Sequence, residues 1–147
     1  MKQVKIINKS KHPLPAYQTT GSAGMDLIAS LAETIILKPM ERKLIPTDIY
    51  IGLPNGYEAQ IRSRSGMAFK RGLAVVNGVG TIDSDYIGMI YVALINLSTE
   101  DQTIVDGDRI AQMVIAKYEN IDWNLVTTLD ETVRGSGGFS STGTSVK

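Results

Sequence analysis

Apolar residues in this chain come in runs that are short, rich in β-branched side chains, and repeatedly interrupted by turn formers. Residues 2–8 (KQVKIIN), 33–37 (ETIIL), 44–51 (LIPTDIYI), 57–62 (YEAQIR) and 110–118 read as strands. Between them stand Pro54-Asn55-Gly56, Asp106-Gly107 and glycines at 78, 80 and 88. Valine and isoleucine together number 27 against 21 leucines plus alanines, which favours the pleated sheet over the helix. Only 66–71 (GMAFKR) has a helical look, and no internal repeat is present. Short strands at this spacing predict an all-β sandwich or barrel. At 147 residues the chain is one domain with enough length to build its own core.

Composition narrows the chemistry. Fifteen basic and fifteen acidic side chains cancel, so the basic excess of a general nucleic-acid binder is missing. With no cysteine and one histidine, His12, the chain has no thiolate zinc site, no cysteine nucleophile and no multi-histidine centre. Any metal would be a hard cation held by oxygen. The longest unbroken apolar run, Met89 to Ile95, is far too short for a membrane span, and the N-terminus lacks a signal-peptide core. A cytoplasmic protein is the expectation, with neither nucleic acid nor membrane as partner.

Four clusters carry candidate chemistry, and each has a plainer reading. The segment 74–96 reads as a β-hairpin whose tip, DSDYIG, holds Asp83, Asp85 and Tyr86; those aspartates are either simple turn formers or functional carboxylates. Arg62-Ser63-Arg64-Ser65-Gly66 ends a strand and enters the helical segment, as either an anion site or a solvated basic edge. Gly107-Asp108-Arg109-Ile110-Ala111-Gln112 opens the last strand, with Asp108 and Arg109 expected as a surface ion pair. From Arg134 to Lys147, ten of fourteen residues are Gly, Ser or Thr. That tail is either a linker or a flap whose backbone N–H groups, hydroxyls and Arg134 grip phosphates while Phe139 stacks on a flat ring.

The order of these clusters is more specific than any one of them. SAGMDL at 22–27, RSRSGMA at 62–68, NGVGTIDSDYIG at 77–88, GDRIAQ at 107–112 and RGSGGFSSTG at 134–143 resemble the five motifs of the trimeric dUTP pyrophosphatases, end to end. The resemblance implies a distorted jelly-roll-like β-barrel at 1–133, with one short helix, and a glycine-rich arm at 134–147. It also implies a homotrimer with active sites between subunits, each closed by the arm of one chain. The implied reaction is hydrolysis of dUTP to dUMP and pyrophosphate, which keeps uracil out of DNA and supplies dUMP for thymidylate synthesis. Asp83 would activate the attacking water. Asn77 and backbone near Tyr91 would bond the uracil edge, Tyr86 would exclude a ribose 2′-hydroxyl, and Thr81 and Ile82 would line the approach.

Phosphates are implied to fall to Arg64, Ser65 and Gly66, with Gln112 assisting. Asp26 resembles the residue that holds a water on Mg2+, the expected cofactor, itself bound mainly by the phosphates. Arg134 would grip the phosphate chain, Phe139 cover the base, and Ser141 and Thr142 donate to the γ-phosphate. One departure is Ser140, where the family arm commonly has glycine. Two rivals remain at this stage. A dCTP deaminase shares the fold but generally lacks the glycine-rich arm. A non-catalytic nucleotide-binding module would most simply have lost Asp83, which is present.

Overall fold

The computed structural model describes residues 3–138. In chain order its elements are β1 (Lys5–Asn8), β2 (Gly24–Ile28), β3 (Ile35–Leu37), β4 (Arg42–Pro46), β5 (Ile49–Gly52), β6 (Tyr57–Arg62), α1 (Ser65–Arg71), β7 (Leu73–Val75), β8 (Val79–Ile82), β9 (Tyr91–Asn96), β10 (Gln102–Ile104) and β11 (Arg109–Lys117). This is the expected all-β, jelly-roll-like barrel with one short helix. Among the described residues the strands form sheets ordered β2-β11-β6-β8, β4-β9-β7, β1-β5 and β3-β10, and every pairing is antiparallel. Between them lies one core, in which Leu27, Leu37, Ile45, Leu73, Ile90, Leu94, Ile104 and Ile110 are fully buried. Each such side chain contributes roughly 1.5–3 kcal/mol of burial.

Three strand readings need correction. The run 44–51 is broken into β4 and β5 at Thr47-Asp48, where Asp48 takes a positive φ of 55°. The break is held by the buried Thr47 hydroxyl, which donates to the Ile90 carbonyl (2.7 Å) and accepts from the Ile49 N–H (3.2 Å). The segment 74–96 is not a simple hairpin either. At Asn77-Gly78 (Gly78 φ +72°) the chain leaves β7, which pairs with β9, and enters β8, which pairs with β6 in a different sheet. Residues 83–90 therefore bridge two sheets. Finally, β2 (GMDLI) contains two poor strand formers and gave no strand signal; its pairing with β11 makes it one.

Helix α1 starts one residue earlier than expected and ends at Gly72, whose left-handed backbone (φ 65°) closes it through an N–H bond to the Ala68 carbonyl. A Cβ at Gly72 would also stand 2.8 Å from the Ser98 backbone nitrogen, so glycine is required there twice over. Behind that contact lies Asn96, fully buried and fully satisfied. Its amide nitrogen donates to the carbonyls of Leu37 (2.9 Å) and Glu100 (2.7 Å), and its oxygen accepts from the Ser98 N–H (2.9 Å) and hydroxyl (2.7 Å).

A second polar tie lies at the turn into β11. Asp106 accepts from the Leu31 N–H, from His12 Nε2 and from Lys11 Nζ, each at 2.9 Å, joining three distant segments. The Leu31 N–H first, then His12 and Lys11, hold its carboxyl well below the usual carboxylate range. The ionised form is thus favoured by folding, so its contribution is complete above the unfolded value of about 3.9 and drains away as pH falls below it. Asp106→Asn should lower the urea midpoint at neutral pH, with the gap to the unsubstituted protein narrowing between about pH 5 and pH 2. A gap that held constant down to pH 2 would mean that the charge of Asp106 is not what the fold uses.

Candidate active site

Antiparallel register builds the first half of the site. Gln112 on β11 sits opposite Asp26 on β2 and opposite Arg62 on β6, so the motif residues of three strands meet at one end of the sheet. The Gln112 amide donates to the Ser63 carbonyl (3.0 Å), pinning the chain as it leaves β6 for α1. Gly24 makes room for this, since a Cβ there would fall 2.6 Å from the Gln112 side-chain oxygen. The Ser63 hydroxyl accepts from the Val75 N–H (2.8 Å), fixing the same corner from the other side.

That corner frames an open pocket of about 610 Å3, lined by Asp26, Arg64, Ser65, Gly66 and Gln112 together with Lys70, Arg71, Asp108 and Arg109. Four cations face two carboxylates, so a chain of zero net charge here presents a cationic surface. Ser65 and Gly66 form the first turn of α1, where backbone N–H groups have no helical acceptor. A Cβ at Gly66 would meet no protein atom within 4 Å, so packing within the chain does not explain this glycine. Arg64 Nε binds Asp26 Oδ1 at 2.8 Å, and Arg109 Nη1 binds Asp26 Oδ2 at 3.3 Å. The expected Asp108–Arg109 pair does not form; Asp108 instead faces Arg71 Nη1 at 3.8 Å, and Arg109 turns to Asp26. Arg109 was thus missed as a pocket residue, and so were Lys70 and Arg71. Their sequence signal is weak, because the fold alone brings the helix end and the β11 turn together.

Residues expected to hold the base and sugar lie elsewhere. Asp83 is exposed at the end of β8, and its carboxylate has no hydrogen-bond or ion-pair partner among the described residues. It lines a separate pocket of about 440 Å3 with Asn55, Glu58, Ser84, Asp85 and Tyr118. Asn77 and Tyr91 are exposed, with Val76 tied to β9 by an N–H bond to the Ala93 carbonyl (2.8 Å). Thr81 and Ile82 lie on β8 opposite Gln60 and Ala59. The Tyr86 hydroxyl donates to the Met89 carbonyl (2.9 Å), and a Cβ at Gly88 would collide with that hydroxyl at 2.5 Å. Arg134 is exposed, with Nε on the Gly137 carbonyl (3.0 Å). Phe139, Ser140, Ser141 and Thr142 lie outside the described residues.

No three His, Cys, Asp or Glu side chains among the described residues are grouped to hold a metal. Both Asp26 oxygens already accept from guanidinium groups, so Asp26 suits an outer, water-bridged role toward a cation whose direct ligands come from a polyphosphate. No helix among the described residues is long and apolar enough to cross a membrane.

Comparison with known proteins places the sequence and the fold. The dUTPase family model matches residues 10–143. The deoxyuridine 5'-triphosphate nucleotidohydrolase of Finegoldia magna is 59% identical over 141 residues, covering 96% of this chain and 99% of the relative. That of Rickettsia canadensis is 62% identical over 130 residues, 88% of each chain. Among solved structures, a glycine-to-serine variant of Staphylococcus bacteriophage 80alpha dUTPase with dUpNHpp superposes with a TM-score of 0.89 at 25% identity, over 98% of this chain and 100% of that one. With a family model matching residues 10–143 and a relative 59% identical along nearly its whole length, the chain belongs to the dUTPase family.

Proposed function

We propose that this protein hydrolyses dUTP to dUMP and pyrophosphate, by in-line attack of a water activated by Asp83 on the α-phosphorus. The observation that carries the reading is the cationic pocket at Arg64, Ser65 and Gly66 in a chain of this family. Two guanidinium groups, a lysine and free first-turn N–H groups suit a polyanion, and stabilising its charge is the larger part of such catalysis. Asp26 would hold a water on Mg2+ carried mainly by the phosphates, and the ion would supply further charge neutralisation. Asp83 supplies what the pocket lacks, an exposed carboxylate with no competing partner and hence open to water. Asn77 and backbone near Tyr91 read the uracil edge, Tyr86 backs the sugar, and Thr81 and Ile82 line the slot. Arg134, Phe139, Ser141 and Thr142 close it as part of a 134–147 arm. Such an enzyme belongs with the deoxynucleotide pool of the cytoplasm.

Strand geometry supports a site shared between chains. Ile82 pairs with Ala59 and Val79 with Arg62, so Asp83, next along, comes level with Glu58 near the start of β6, while Arg64 lies two residues past its end. At about 3.4 Å per residue these positions are roughly 17–20 Å apart. A base that acts through one water must stand within a few ångströms of the phosphorus. Asp83 of one copy therefore serves phosphates gripped by another. Residues 119–133 support assembly as well: no strand forms there, and Trp123 and Leu125 are 91% and 98% exposed alongside Ile121 and Leu129. An apolar stretch with no cover in its own chain calls for a neighbour. We take the assembly to be a homotrimer.

Pyrophosphate release with magnesium should be rapid from dUTP and slow from dCTP, dTTP and UTP; ammonia from dCTP would instead point to a deaminase. Asp83→Asn should cut turnover by about 10²–10⁴-fold while dUTP binding persists, since the amide keeps shape and loses basicity. Near-normal turnover in that variant would remove Asp83 from the mechanism. Sedimentation should show three chains together, and a stable 16.0 kDa species at assay concentrations would exclude the shared site.

A further inference from the structure

The four cations of the anion pocket are not equally available. Arg71 is spent on the scaffold: Nε donates to Gln102 Oε1 (3.2 Å), Nη2 to the Thr103 carbonyl, and Nη1 faces Asp108. Arg64 commits Nε to Asp26 and Nη1 to the Arg109 carbonyl (3.1 Å), which leaves Nη2 open. Arg109 commits only Nη1, to Asp26, so both Nε and Nη2 remain open, and its side chain is 54% exposed. Asp26 itself is only 20% exposed, with one oxygen on each arginine. A single guanidinium would neutralise this carboxylate. The second leaves the cluster with a net positive charge aimed at the pocket.

We propose that Arg109 is a further phosphate-contacting residue, and that Asp26 is the positioning residue that sets Arg64 and Arg109 side by side as one clamp. The inference rests on reading this pocket as the polyphosphate site. Charge and geometry favour it over a purely structural triad. Both arginines line the pocket with some nitrogens engaged by Asp26 or the Arg109 carbonyl, and those left free are the hydrogen-bond donors that a phosphate oxygen accepts from. Asp26 also screens two like charges that would otherwise push apart. Without its carboxylate the two guanidinium groups have no common acceptor, and the fork they form is lost.

The test uses inorganic triphosphate, titrated calorimetrically into the whole chain with a chelator present so that only protein cations are read, alongside dUTP hydrolysis. Arg109→Gln should weaken triphosphate binding by about tenfold or more, Arg109→Lys should recover part of it, and thermal midpoints should stay close to that of the unsubstituted protein. In hydrolysis, Arg109→Gln should raise KM more than it lowers kcat. Asp26→Asn should weaken triphosphate comparably, and the double variant should fall short of the product of the two single losses, because one residue acts through the other. Unchanged triphosphate affinity in Arg109→Gln, or strictly multiplicative losses, would overturn the clamp. If the unsubstituted protein bound triphosphate but released no pyrophosphate from dUTP, the dUTP reading would fail, and the titrations would still decide the clamp.

Discussion

The register of β11 is the constraint on which the cationic pocket of the molecule depends. This strand is hydrogen-bonded along both edges, to β2 and to β6, and Gln112 is the residue at which the two ladders overlap with functional partners. A slip of one residue would turn the regular side chains of the strand to the opposite face, moving Ala111 and Met113 out of the core and Gln112 into it. The burial of those apolar residues thus holds the alignment that keeps Asp26 beside Arg109. The bulge between Arg109 and Ala111 adds a local bend at the same place, which tilts Arg109 at the strand's first position toward the pocket. Core packing and site geometry are here one requirement.

Around that strand, a chain with no net charge concentrates positive charge by choosing partners unevenly. Asp106 and Asp108 are turned toward Lys11, His12 and Arg71, where they stitch the N-terminal segment, the α1 end and the β10–β11 turn together. Asp26 alone is set among two arginines. Ion pairs at a surface are individually weak, about 0–1 kcal/mol. Their larger effect in this protein is to decide which cations are left over. Lys70, Arg64 and Arg109 retain donors toward the pocket, whereas Arg71 does not.

Much of this was legible in the residues, and the parts that were not share a cause. Strand β6 was read at its full extent and β11 to within a residue, because each follows a clear turn signal, β6 alternating apolar and polar residues and β11 running largely apolar. The all-β class followed from the same pattern. What sequence periodicity could not supply was pairing. AVVNGVGTI looks like one apolar run, yet Asn77-Gly78 sends its halves into different sheets, and only the non-local ladders to β9 and β6 reveal it. Likewise GMDLI becomes a strand because β11 offers it an edge, not because glycine and aspartate favour one. At the site, Asp26, Arg64 to Gly66 and Gln112 were found as motifs. Arg109 was assigned to its sequence neighbour Asp108, since nearest-neighbour reasoning cannot see a partner 83 positions away.

The separation of the two pockets has a mechanistic consequence beyond assembly. Strand β6 acts as a rigid spacer between Asp83 and the cationic pocket of one chain, which resists drift of either toward the other by local motion. With both edges of β6 paired, shortening that distance would require breaking ladders on two sides. Under the proposed mechanism a monomer built this way would be protected from reacting on its own, since β6 holds Asp83 away from a phosphate bound at Arg64. Docking of copies would then, under that mechanism, be the step that creates the catalytic geometry. Its precision would then be inherited from two stiff sheets meeting, and the exposed apolar residues of 119–133 would help to set it, rather than loops near the reacting atoms.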